Sequence, residues 1–261
     1  MSPAIKSAIK YSAFGGIAYL VFLLSTMPAA FAYGYWKTMF GGDEVPLTVS
    51  DLSGSVWSGQ AAKATLNGRQ LNALTWDINS LSLLLGIVEM NFEFKVTDGY
   101  GKGVMGFGIF GGAYLNNVEA WLPLSEIEGL IKAAVFKPGG ALDIKLSNVK
   151  LDNNTLVSAK GDIAWHGAEL TVLKKLVLGD LDVALEPHEG GVRGVLSDQG
   201  GPLTAEGVLQ LSADRSYEFT GAFGTRGTNP DLQNALRTMG RAERDGKIKV
   251  SLKGNLEQFG L

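Results

Sequence analysis

The chain has 261 residues, 23 Lys+Arg against 26 Asp+Glu for a net charge of −3, no cysteine and two histidines. Lack of cysteine excludes a disulfide framework, thiolate zinc or iron–sulfur centres and a Cys nucleophile, and the evenly mixed charge offers no basic stripe for nucleic acid. Glycine is the outlier at 35 residues, roughly twice its usual ~7% share; it punctuates short runs rich in Val, Leu, Ile, Phe and Trp, as in many short strands joined by tight turns.

From Tyr11 to Trp36 there is no charged side chain, and Lys6 and Lys10 precede the run. Its core, residues 14–27, followed by Pro28-Ala-Ala-Phe-Ala-Tyr33, suffices to cross ~30 Å of hydrocarbon as a helix of ~20 residues. The lysine flank predicts a cytoplasmic N-terminus (residues 1–10), a single-pass inner-membrane anchor (11–36) and a periplasmic body (37–261), with Tyr33, Tyr35 and Trp36 at the far interface. Ala30-Phe31-Ala32, with Pro28 as a helix breaker, also has the form of a signal-peptide cleavage site, so anchor and cleaved signal both stand. The body, about 220 residues, is enough for one large domain or two small ones.

In chain order, Gly54-Ser-Val-Trp-Ser-Gly59 opens a strand-like run ending at Asn67-Gly68, a strong hairpin signal before residues 69–78. Residues 87–96 alternate apolar Val88, Met90, Phe92, Phe94 and Val96 with polar Glu89, Asn91, Glu93 and Lys95, a strand with one face buried. After an Asp98-Gly99 turn, residues 103–112 read as a glycine-rich strand. Ser125 and Glu128 are spaced as a capping box for a helix over 126–134 that puts Ile127, Leu130, Ile131 and Ala134 on one face. Further alternating strands follow at 142–146, 156–165, 181–185, 192–196, 205–211 and 217–223. A second helix over 229–240 has an Asn cap, Pro in its first turn and Gly240 as its stop, and a last strand runs over 247–252. The fold class is mainly β: an N-terminal transmembrane helix, then a curved, largely antiparallel sheet with two short amphipathic helices.

Trp57-Ser-Gly59 recurs loosely as Trp165-His-Gly167, and Leu83-Leu-Leu-Gly86 as Leu176-Val-Leu-Gly179. The body therefore reads as two similar halves, about 45–140 and 141–261, sharing one long sheet. Gly54, Gly59, Gly86, Gly167 and Gly179 are its structural turn glycines.

The Gly54–Gly59 element, Leu74-Thr-Trp76, Leu84-Leu-Gly86, the stretch from Gly161-Asp-Ile-Ala-Trp165-His-Gly-Ala168 to Gly179, and Gly200-Gly-Pro-Leu203 together resemble the type II secretion system protein N family, in the same order, from about residue 45 to the end. The resemblance implies an inner-membrane-anchored periplasmic subunit of the machine that exports folded proteins through an outer-membrane secretin, with other secretion subunits as partners. It brings no catalytic signature. The short run between the apolar segment and Gly54 departs from the expected pattern.

The remaining residues offer little chemistry. His166 and His188 each have a carboxylate nearby, Glu169 and Glu189, but sit in turn contexts rather than a metal-ligand spacing. Serines beside glycines, as at Ser53, Ser55 and Ser58, lack the G-x-S-x-G elbow, and Gly106-Phe-Gly-Ile-Phe-Gly111 reads as strand rather than as a nucleotide loop. The carboxylate pairs Glu126/Glu128 and Glu186/Glu189 belong to a cap and a polar turn. No enzyme, metal or cofactor is predicted. Trp57, Trp76, Trp121 and Trp165 are either packing residues or the lining of a groove or docking surface. The preferred function is a non-enzymatic secretion component acting through protein contacts; the alternative is a periplasmic lipid-handling protein with an apolar groove in a curled sheet. A lipid groove requires a continuous apolar strip, and a docking module an exposed strand edge.

Overall fold

The computed structural model describes residues 3–40, 47–66, 69–127, 137–152, 155–171, 174–240 and 243–256. In chain order they form α1 (Pro3–Ser25), α2 (Ala29–Phe40), β1 (Leu47–Gly54), β2 (Ser58–Leu66), β3 (Arg69–Asn79), α3 (Ser80–Leu83), β4 (Ile87–Val96), β5 (Gly99–Gly108), β6 (Ala113–Pro123), α4 (Leu124–Ile127), β7 (Lys137–Asp152), β8 (Thr155–Thr171), β9 (Lys175–His188), β10 (Gly191–Asp198), β11 (Leu203–Ser212), β12 (Ser216–Thr225), α5 (Pro230–Met239) and β13 (Ile248–Asn255). The strands make one open sheet in the order β1 to β13, every strand antiparallel to its sequence neighbours.

The uncharged N-terminal run is divided between two helices. Pro28 cannot donate a backbone hydrogen bond to continue a helix, and the Ser25 and Thr26 hydroxyls fold back onto the Phe22 carbonyl at 2.9 and 2.8 Å. The uncharged part of α1, residues 11–25, is roughly 22 Å long at ~1.5 Å rise per residue. Among the described residues no helix is long and apolar enough to cross a membrane by itself.

The strand pairings sort side chains onto two contrasting faces. Trp76 pairs with Phe92 and Phe92 with Gly103; Met90, Met105, Leu115 and Val149 follow one another across β4 to β7. The same face continues through Leu142 and Trp165, Ile163 and Val183, Leu196, and Phe219 opposite Leu252. It is apolar from β3 to β13. The other face carries a ladder of alternating charge, Glu93, Lys102, Glu119, Lys145 and Asp162, each opposite the next. Slipping any strand by one residue would put charge into the apolar face, so this ladder and its reverse side fix the register together.

The sheet has two distinct ends. Leu232 and Leu236 of α5 pack onto the apolar face at the end formed by the β8–β9, β10–β11 and β12–β13 connections, against Ala168, Leu178, Leu181, Leu203, Ala205 and Ile248. We call this the far end. The near end holds the β1–β2, β5–β6 and β9–β10 turns, α3 and the break after α1. Arg215, in the β11–β12 turn, donates to Thr155 Oγ1 of β8 at 3.4 Å; flat strands at ~4.8 Å spacing would hold them more than a side-chain length apart, so the sheet rolls up there.

Most expectations from the sequence reappear. α5 has its Asn229 side chain accepting from Leu232 N at 3.1 Å and Pro230 in its first turn. β2 and β3 form the expected hairpin, with Asn67 and Gly68 themselves outside the described residues. Besides the divided N-terminal run, two readings change. The glycine-rich strand stops at Gly108, and residues 109–112 form the turn into β6. The helix expected from Glu126 begins at Leu124, which is buried, so Ser125 lies inside α4 instead of capping it; residues 128–134 of that helix lie outside the described residues.

Candidate functional site

Gly54-Ser-Val-Trp-Ser-Gly59 is the turn between β1 and β2, and it clasps the end of α1. Ser55 Oγ organises the loop by accepting from Trp57 N and Ser58 N at 3.2 and 3.1 Å. Val56 N then donates to Met27 O at 3.0 Å, and Ser55 bridges Pro28. Trp57 Nε1 donates to Leu24 O at 2.7 Å, meeting one of the carbonyls that a helix C-terminus leaves without a helical partner. From the sheet side, Ile78 N donates to Trp57 O at 2.6 Å and Trp76 Nε1 to Val56 O at 3.0 Å. The Trp76 ring lies across Gly59, where a Cβ would collide with that ring and with the Ser53 and Ser55 carbonyl oxygens at 2.8 and 2.9 Å. Of the four candidate tryptophans, Trp57 and Trp76 are therefore brought together. From this clasp α2 runs along the outer edge of β1, where Tyr33 OH accepts from Val49 N at 3.2 Å.

A second joint gathers the other glycine motifs at the far end. Gly179 adopts φ +103, and its Cα packs on the Gly200–Gly201 backbone, where a Cβ would come within 2.7 Å of Gly200 O. Gly167 N donates to Asp180 Oδ1 at 2.7 Å. Asp198 accepts from Gly200 N and Ala205 N and pairs with Arg226 at 2.7 Å, while Arg226 Nη1 reaches Gly201 O. Burial works to raise the Asp198 pKa, but the bonds from Arg226, Ala205 and Gly200 outweigh it and hold the carboxyl below its ordinary value.

Trp165 donates from Nε1 to Gly139 O at 2.8 Å and packs beside the α5 core, a packing role. Trp121 stacks on His166 with ring centroids 5.6 Å apart, and His166 Nδ1 faces Asp180 Oδ2 at 3.5 Å. His188, eight positions beyond Asp180 on β9, is roughly 26 Å away along the strand at ~3.3 Å per residue, so the two histidines do not converge. Gly86, at φ +72, ends the turn after α3. The Trp-x-Gly and Leu-x-Leu-Gly recurrences take different local forms: Trp57 lies in a turn and Trp165 within β8, Gly86 follows a helical turn and Gly179 lies within β9.

A polar cluster missed by sequence reasoning lies under α3. Glu89, Gly106 and Tyr114 sit side by side on β4, β5 and β6, and the Tyr114 ring crosses Gly106 so that its hydroxyl donates to Glu89 Oε2. Asn79 Nδ2 and Ser82 Oγ donate to Glu89 Oε1 at 3.0 and 3.3 Å. The Tyr114 bond, ahead of those from Asn79 and Ser82, holds the Glu89 carboxyl below its usual value; the same bond pushes Tyr114 up to about 12. A depressed carboxyl stabilises the fold above the ordinary carboxylate range and loses that contribution as pH falls through its lowered pKa. Ultraviolet titration should place Tyr114 ionisation at about 12, and Glu89→Gln should bring it down towards the ordinary tyrosine value; an unchanged Tyr114 titration in that variant would refute the pairing.

Two broader surfaces remain. The apolar face between β3 and β7 is not covered by α5, and the outer edge of β13 pairs with no strand among the described residues. Lys249 and Lys253 on β13 bond Glu243 and Glu218 at 2.9 and 2.8 Å, the kind of charge that keeps an edge from indiscriminate pairing.

Comparison with known proteins gives a consistent picture. The model of the family "Type II secretion system (T2SS), protein N" matches residues 46–251, from the start of β1 into β13. A type II secretion system protein N of Aeromonas hydrophila is 25% identical over 263 aligned positions, covering 97% of this chain and 100% of that protein. One from Vibrio cholerae is 27% identical over 220 positions, covering 80% of this chain and 85% of its own length. No solved structure matches the chain.

Proposed function

Since the chain belongs to the type II secretion system protein N family, we propose that it works as a non-enzymatic, inner-membrane-anchored periplasmic subunit, coupling the membrane to other secretion subunits by protein contacts. The observation that carries this reading is the clasp. The described side chains of α1 between Tyr11 and Leu24 are exposed around the helix, with Phe14, Ile17, Leu20 and Phe22 all open, and an apolar helix without a polar face is stable only in a lipid or protein surround. Lys10 can extend its reach by directing its ammonium group to the headgroups. The hydrogen bonds from Val56 and Trp57 to the end of that helix make it one mechanical unit with the sheet. In this reading residues 1–10 are cytoplasmic and the sheet is periplasmic.

The edge of β13 is the proposed docking strand for a partner subunit, by strand addition. The experiment is deletion of the gene followed by complementation. Deletion should remove secreted enzymes from the medium and leave them in the periplasm, the full chain should restore export, and a chain lacking α1 should not.

One observation favours a second reading. The apolar face running from β3 to β13 is the continuous strip that acyl chains would need, and unchanged secretion on deletion would put lipid handling ahead.

A further inference from the structure

The near end of the sheet carries an apolar tip unrelated to the edge of β13. Leu81, Leu84 and Leu85 around α3 are 72, 83 and 79% exposed, and in the β5–β6 turn Ile109 and Phe110 are 66 and 98% exposed. The two loops are one unit: Ile109 N donates to Gly86 O at 3.0 Å, and Ile109 Cδ1 lies against Gly86. No charge falls within residues 78–88 or 103–118. The turns at the same end on the other side of the sheet are charged, with Glu189, Asp214 and Arg215. Exposed leucine and phenylalanine are thus concentrated beside α1 and missing from those distant turns.

We infer that this tip inserts into the outer surface of the bilayer that α1 enters, so that the sheet touches lipid at a second point beside its anchor; the inference rests on the anchoring reading above. Its placement follows from the clasp. Ile78 N bonds Trp57 O, and Trp57 bonds Leu24 O, so the last turn of α1 and the end of β3, from which α3 follows, are joined through one tryptophan at one end of the sheet. A bilayer surface level with the end of α1 meets the tip.

The backbone of the tip suits lipid better than a polar partner surface. Leu81 N is met by Asn79 Oδ1 at 3.1 Å, and Leu84, Leu85 and Gly86 N by Leu81, Ser82 and Leu83 carbonyls at 3.0–3.1 Å. Gly111 N reaches Gly108 O at 3.0 Å. These donors need no water, and an unmet donor is what makes irregular backbone costly in hydrocarbon. Below the tip, Asn79 and Ser82 are tied to Glu89 and through it to Tyr114, which holds the leucines outward instead of letting them collapse onto the sheet.

The test uses the cysteine-free full chain reconstituted in vesicles of phosphatidylethanolamine and phosphatidylglycerol that contain a spin-labelled lipid. Single cysteines replace Leu84, Phe110, Leu20 in α1, or Asp98 at the far end, and each carries an environment-sensitive fluorophore. Insertion of the tip ~5–10 Å below the headgroup boundary should quench the labels at 84 and 110 about twofold or more beyond the label at 98. If the label at 20 is quenched while those at 84 and 110 match the label at 98, the tip inference fails and the anchor stands. If the label at 20 also matches the label at 98, both fail. Blue-shifted emission at 84 and 110 without lipid quenching would mean that protein covers the tip, and would likewise overturn the inference.

Discussion

Leu232→Ala should destabilise the far end of the sheet by about 2–5 kcal/mol, the usual cost of a large-to-small change in a packed core. Leu232 is 2% exposed, and with Leu236 one turn later it is the means by which α5 holds β8, β9, β11 and β13 together. α5 has only 10 residues, too few to be helical without tertiary packing. Its cap at Asn229 and the Asp231 in its first turn set where it begins but cannot hold it in place. For a body of this size the change should lower the melting temperature of the detergent-solubilised chain by about 5–15 °C. Leu232→Met, which conserves volume, should cost less than about 1.5 kcal/mol. Equal melting of the wild type and Leu232→Ala would show that α5 does not cover this part of the sheet.

Gly59→Val should loosen the clasp. The new side chain has to displace the Trp76 ring or the Ser53 and Ser55 carbonyls, a strain of about 1–3 kcal/mol. Moving Trp76 also breaks its bond to Val56 O, leaving a half-buried donor and acceptor at about 1–3 kcal/mol. Among the described residues the sheet has eleven further strand pairings beyond β1–β2 and should survive. The expected phenotype is therefore selective: strand content by circular dichroism close to wild type, faster proteolysis around residues 24–28, and weakened secretion. Trp57→Phe should give a milder form, since it keeps the ring and loses only the donor to Leu24 O. Wild-type proteolysis in Gly59→Val would argue against the clasp.

The strands could be read from the chain because their alternation is a property of neighbouring residues: Val88, Met90, Phe92 and Phe94 reveal a two-residue period without knowledge of any partner. α5 could be read for the same reason, since its cap, first-turn proline and apolar spacing are all local. The clasp was half legible. Trp57 and Gly59 stood out as a motif, but nothing near them in sequence announces that the indole reaches back 33 positions to Leu24. The Glu89, Gly106 and Tyr114 cluster was not legible at all, because it depends on the register of three strands, and register is decided by the sum of contacts along both faces. The tip was present in the sequence as Leu81-Ser-Leu-Leu-Leu85 and Ile109-Phe110, yet the first read only as a step leading into the strand from Ile87 and the second as part of a glycine-rich strand. Only the observation that β5 stops at Gly108 turns those residues outward. The N-terminal run was legible as one uncharged apolar stretch, whereas its division at residues 26–28 depends on the tertiary bonds that Ser55, Val56 and Trp57 make there.

The junction between α1 and the sheet is what couples the N-terminal helix to the strands, and a disulfide tests it directly. Met27 and Val56 lie opposite each other, with Val56 N on Met27 O at 3.0 Å, close enough for a bridge with little backbone movement. The chain has no cysteine of its own, so Met27→Cys with Val56→Cys introduces a single pair. Expressed in cells with an oxidising periplasm, this pair should resist alkylation by a mass-tagged maleimide until reduced, while a Leu20→Cys, Val56→Cys control should be alkylated without reduction. Equal alkylation of both pairs before reduction would contradict the clasp, and with it the claim that the sheet is held to the end of α1.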